Sequence, residues 1–103
     1  MANQFGEKIR ELRESSRLLQ RQIASRLEID TPMLSKIERG ERKAKKEQVP
    51  LFAKLLNASK DELLTLWLAD QVVEVLQDED LALQAMQVAE EEVKFINKTN
   101  KKK

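Results

Sequence analysis

The stretch from Gln20 to Gly40 (QRQIASRLEIDTPMLSKIERG) constrains the fold more tightly than any other part of the chain. Ile23, Ala24 and Leu27 recur at helical spacing, and Leu34 and Ile37 do so again after a short gap. Between the two runs, Asp30 offers a carboxylate to cap a helix start. Pro32 fits the first turn, where its missing N–H costs little. Gly40 ends the second run as a residue able to adopt positive φ. The reading is two short amphipathic helices, the first over Gln20–Leu27, with about three or four residues left for the turn between them.

Further helices flank this pair. The first is expected from Gln4 to Ser16, with Phe5, Ile9 and Leu12 on one face. A fourth spans about Glu47 to Leu56 and carries Leu51, Phe52, Leu55 and Leu56, with Pro50 in or just after its first turn. Ser59 and Glu62 have the spacing of a capping box at the start of a fifth. Beyond Glu62 the chain turns apolar nearly all round (Leu63, Leu64, Leu66, Trp67, Leu68, Ala69, Val72, Val73, Val75, Leu76), and such a helix needs cover on more than one side. Asp78 or a neighbour caps a last helix to about Asn97, in which Ala82, Met86, Ala89, Val93 and Ile96 step by four and three as a short heptad seam.

The fold class read from this pattern is all-α. A five-helix domain occupies residues 1–68, with its helix pair at about 20–40. A C-terminal helical segment, 69–97, serves dimerisation or another interaction, and a disordered basic tail follows at 98–103.

Composition narrows the functions open to the chain. It contains neither Cys nor His, which removes disulfides, thiolate metal sites, thiol nucleophiles and the commonest general base. No metal or cofactor is expected, and no Gly-rich phosphate loop is present, so an enzyme is the least favoured reading. No apolar run approaches the roughly 18 residues of a membrane span, and the N-terminus lacks the pattern of a secretion signal, so the expected location is the cytoplasm. The net charge of +1 conceals an asymmetry. Residues 1–46 hold 12 Lys and Arg against 7 Asp and Glu, whereas residues 47–97 hold 3 against 11. A basic front and an acidic back suit a polyanion-binding module joined to an interaction segment, although solvated helix faces account for such a split equally well.

In register over residues 5–68, the chain resembles the lambda-repressor and Cro-like helix-turn-helix regulators, the Xre family. The likeness rests on Phe5-Gly6, Ile9-Arg10, Leu12-Arg13, Gln20, Ile23-Ala24, Asp30, Leu34 through Gly40, Leu55-Leu56 and Leu63-Leu64. It implies that the helix beginning near Thr31 enters the DNA major groove. Thr31, Pro32, Ser35 and Lys36 match base-reading positions. Lys36 can donate to guanine, and Thr31 or Pro32 can touch a thymine methyl. Gln20 and Arg21 match phosphate-binding positions at a helix start, and Arg39, Arg42, Lys43, Lys45 and Lys46 are read as further phosphate contacts. Arg13 and Glu38 match an ion pair that clamps the first helix to the recognition helix.

Two positions depart from the family pattern. Glu28 stands where Gly is frequent, so the turn is either strained or shifted. Leu19 stands where a Ser or Thr cap is common, leaving Gln20 to carry that helix start.

The resemblance implies a DNA-binding transcriptional regulator, a repressor acting on a palindromic operator as a homodimer, because one half-site of about 4–6 base pairs is too short a word for a genome. Double-stranded DNA and a second copy are thus the expected partners, and another protein can also engage the C-terminal helices. Trp67, Val72, Val73, Leu76, Met86, Ala89 and Val93 are the candidates for the dimer interface, unless the last helix folds back on Trp67. A controller of a restriction-modification operon and an antitoxin masking a toxin are the two settings that fit. An adaptor that uses the helices without DNA is the reading from another class.

Overall fold

Six helices follow one another in the computed structural model, which describes residues 3–100: α1 (Gln4–Ser15), α2 (Gln20–Leu27), α3 (Thr31–Glu38), α4 (Gln48–Leu55), α5 (Lys60–Leu76) and α6 (Ala82–Asn100). There is no strand among the described residues, and the chain is all-α. It divides into two compact units, one reaching to Val72 and the other beginning at Val73.

The first unit is built on a core in which Phe5 and Ile9 of α1, Ile23, Ala24 and Leu27 of α2, and Leu34 and Ile37 of α3 meet Val49, Phe52, Ala53, Leu56 and Leu63. The Phe5 and Phe52 rings meet edge to face, 5.7 Å between centroids, a geometry favoured by the ring quadrupoles. Gly6 is needed for this packing. A Cβ there would lie 2.4 Å from the Ile37 carbonyl oxygen and 2.7 Å from that of Glu38. Its absence lets α1 rest directly on the last turn of α3.

Four helices end on a residue in the left-handed region: Arg17 (φ 57°), Glu28 (φ 58°), Gly40 (φ 76°) and Asn57 (φ 52°). After α3 the Glu41 N–H returns to the Lys36 carbonyl (2.8 Å) and the Gly40 N–H to that of Ile37 (3.1 Å), a Schellman pair. The same pair of bonds closes α1, α2 and α4. At Glu28 the turn therefore keeps the left-handed geometry and accepts the strain, about 1–2 kcal/mol for a residue with a Cβ.

The helix starts differ from expectation in three ways. Leu19 has no side-chain oxygen to offer α2, and it is Gln22, not Gln20, that supports this start, its amide oxygen accepting from the Leu19 N–H (2.7 Å). Ser59 Oγ accepts from the Glu62 N–H (3.1 Å), but the Glu62 carboxylate lies 3.5 Å from Lys8, and it has turned away from the cap. α1 carries two caps: Asn3 accepts from the Gly6 N–H, and Asp70 of α5 accepts from the N–H groups of Gln4 (2.9 Å) and Phe5 (2.8 Å). Asp70 thus ties α5 to the start of the chain, which no local pattern announced.

In the second unit, α6 continues three residues past the expected end at Asn97, so residues 98–100 are helical and not a disordered tail. Lys101–Lys103, the rest of that tail, lie outside the described residues, as do Met1 and Ala2 of the 1–68 domain. None of the large apolar side chains from Val73 to Ile96 is buried. No helix among the described residues is long and apolar enough to cross a membrane.

Candidate nucleic-acid interface

α3 divides sharply into two faces. Asp30 caps it by accepting from the Met33 N–H (2.8 Å), with Pro32 in the first turn. Leu34, Ile37 and Glu38 are buried, and Met33 is half-buried. Thr31, Pro32 and Lys36 are exposed on the other side, with Ser35 half-buried beside them. The inner face is apolar except for Glu38, so its burial fixes which residues the helix presents outward.

Glu38 is 4% exposed and fully engaged. Arg13 grips it with two bonds, Nε to Oε2 (2.7 Å) and Nη2 to Oε1 (3.0 Å), and spends Nη1 on the Leu18 carbonyl (2.9 Å). The Gln20 amide donates a third bond to Oε1 (3.0 Å). One carboxylate therefore ties α1, the start of α2 and the end of α3 together. Donating to the Glu38 carboxylate holds the Arg13 guanidinium above its ordinary pKa. Buried pairs of this kind add little net stability, but they set orientation, because the alternative is an unpaired buried charge. With its amide nitrogen turned to Glu38, Gln20 joins this clamp; Arg21 beside it is exposed.

The basic residues after α3 are arranged unequally. Arg39 is paired with Glu41, Nε to Oε2 at 2.8 Å and Nη2 to Oε1 at 3.2 Å, and its Nη1 donates to Ser35 Oγ. The Arg39 hydrogen bond holds the Glu41 carboxyl below the usual carboxylate range. Arg42, Lys43, Lys45 and Lys46 are all exposed. This loop is pinned from beneath: Ala44 is buried between them, and its carbonyl accepts from the Trp67 indole (2.8 Å). Trp67, half-buried against the core, is thereby committed to its own domain. Of the other C-terminal residues singled out above, Val72, Val73, Met86, Ala89 and Val93 are exposed and Leu76 is half-buried. Sequence reasoning missed Asp70, Gln22, Glu41 and the Trp67–Ala44 bond; only Gln22, three residues from Leu19, carried a local signal.

The arrangement offers an exposed, cationic surface at and after the end of α3. Among the described residues no three acidic side chains converge as a metal site, and no buried side-chain nitrogen or oxygen lacks a partner.

Comparisons agree with this geometry. A solved structure, the restriction-modification controller protein C.AhdI from Aeromonas hydrophila, is similar to this chain at a TM-score of 0.53 and 30% identity. The match covers 57% of this chain and 89% of that one. No curated protein matches the sequence significantly. The helix-turn-helix domain pattern matches residues 4–66, well over half of the chain and all of α1 to α4. The chain belongs to the helix-turn-helix domain family, in its lambda-repressor-like form.

Proposed function

We propose that this protein is a sequence-specific DNA-binding transcriptional regulator, a repressor that binds a palindromic operator as a homodimer. The observation that carries the reading is the outer face of α3, where Thr31, Pro32 and Lys36 are exposed while Leu34, Ile37 and Glu38 lock the other side. Thr31, Pro32, Ser35 and Lys36 read bases; Arg21, Arg42, Lys43, Lys45 and Lys46 hold phosphates. Gln20 contributes chiefly through Glu38, and Arg39 reaches a phosphate once it leaves Glu41. The likeness to a restriction-modification controller supports a controlling role of the same kind here.

Pairing runs through the C-terminal segment, 69–97, where Val72, Val73, Met86, Ala89 and Val93 are uncovered. Two copies present two recognition helices to two half-sites. The test is binding to genomic fragments, first selected by the purified protein and then titrated against salt. Lys36→Ala should relax preference at one base position, worth about 1–3 kcal/mol of discrimination. Lys46→Ala should weaken all sequences alike and flatten the salt slope by about one. Identical behaviour of the two variants would sink the division into base and phosphate contacts, and absence of any salt-dependent DNA binding would sink the function.

A further inference from the structure

The family pattern stops at residue 66, and α6 lies wholly beyond it. At 100° per residue, Ala82, Met86, Ala89, Val93 and Ile96 form one stripe along α6. Met86 is 39% exposed, Val93 53% and Ile96 50%. The neighbouring stripe, Leu81, Ala85, Val88, Glu92 and Phe95, carries a carboxylate in its middle. The first is therefore the better seam for a second helix.

Charge along the helix selects the partner and its direction. Asp78, Glu79 and Asp80 precede the first turn, Glu90, Glu91 and Glu92 straddle the midpoint, and Lys94 and Lys98 lie towards the end. Lys94 makes only long contacts within its own helix, 3.8 Å to Glu90 and 4.0 Å to Glu91. In a parallel pair of copies Glu90 and Glu92, which flank the seam, would each lie level with its like, four carboxylates along one short stretch. In an antiparallel pair, Glu90 and Glu92 lie level with the uncharged Ala85 and Leu83. Size agrees with charge. When Ala82 is set against Val93 and Met86 against Ala89, each of these layers joins a small residue to a larger one, and Ile96 extends beyond them.

We propose that α6 pairs antiparallel with α6 of a second copy, about a two-fold axis between Gln87 and Val88. The proposal rests on the homodimer reading above and specifies the helix, the direction and the register. The charges set direction and specificity more than affinity, as complementary surface charges do.

The absence of cysteine makes the test clean, because single cysteines can be placed in the full chain without background. Ala82→Cys and Val93→Cys, mixed under mild oxidation, should form a mixed disulfide at least about tenfold faster than either forms with itself, since only the mixed pair is held at high effective concentration. In the antiparallel register, the Cα atoms of residue 82 in the two copies are about 16 Å apart along the axis, too far for the roughly 7 Å limit of a disulfide. Glu91→Cys, on the opposite face, serves as the control. Rapid self-linking of Ala82→Cys would mean a parallel pair and overturn the proposal. A dimer in sedimentation whose seam cysteines link no faster than the control would overturn this pairing and leave the homodimer standing. A 12.0 kDa species in sedimentation, with no accelerated linking, would overturn both.

Discussion

The two units of this chain treat their apolar residues in opposite ways. All thirteen buried apolar residues among those described lie before Val72. From Val73 onward none is buried, although Val73, Val75, Leu81, Leu83, Met86, Val88, Val93, Phe95 and Ile96 are all large and all exposed. The contrast extends to polar groups. Arg13 and Glu38 are sealed together, with side chains 12% and 3% exposed, whereas Lys94 stands in solvent beside Glu90 and Glu91. The first unit satisfies itself, while the second reads as half of something.

The largest effects should separate the two units outright. Phe52→Ala removes a fully buried ring and should cost about 3–5 kcal/mol of unfolding free energy. Val93→Ala should change that same transition by no more than about 0.5 kcal/mol in dilute solution, while weakening self-association. Equal losses in denaturant titrations would erase the contrast. Arg13→Ala strands a buried carboxylate and should cost about 3 kcal/mol. Lys94→Ala, at an exposed pair, should stay within about 0.5 kcal/mol by the same measurement.

Smaller changes sharpen the picture within the first unit. Glu28→Gly releases a left-handed residue from its Cβ and should stabilise the fold by about 1 kcal/mol, seen as a raised denaturation midpoint. A loss of stability there would mean that the Glu28 side chain contributes something its conformation does not reveal. The smallest effect concerns Glu41. Its carboxyl is depressed in the fold by Arg39, so any stability it lends is present above its unfolded pKa and is lost as pH falls through the folded value. In Arg39→Ala, NMR titration should find the Glu41 carboxyl moved up, towards the ordinary carboxylate value.

What could be read from the sequence, and what could not, follows the range of the interactions. α2 spans Gln20–Leu27 as its Ile23, Ala24 and Leu27 spacing implies, Asp30 caps α3, and Gly40 ends it with positive φ. These signals act over three or four residues, and the side chains that send them also receive them. By contrast, the bonds from Gln4 and Phe5 to Asp70 cross 66 and 65 residues, and that from Trp67 to Ala44 crosses 23. Nothing periodic marks such a pair, and Asp70 looked like one more charge in an acidic stretch. The Ser59–Glu62 spacing misled in the opposite sense, because Lys8 competes for the glutamate from another helix. For the candidate site, α3's exposed residues were legible from its apolar stripe. The occupation of Arg39 and Ser35 by each other and by Glu41 was not, since it depends on where the chain goes after Gly40.

Trp67 and Asp70 also bear on where this domain can be cut. The family pattern ends at residue 66, one residue before the indole that holds the Ala44 carbonyl and four before the carboxylate that caps α1. A fragment trimmed to the pattern would keep α1 to α4 intact in sequence while losing both anchors. It would fray at Gln4 and loosen beneath the lysines of the basic loop. The smallest portable version of this domain therefore extends through the Asp70 turn of α5, and a boundary drawn from sequence likeness alone falls inside the fold.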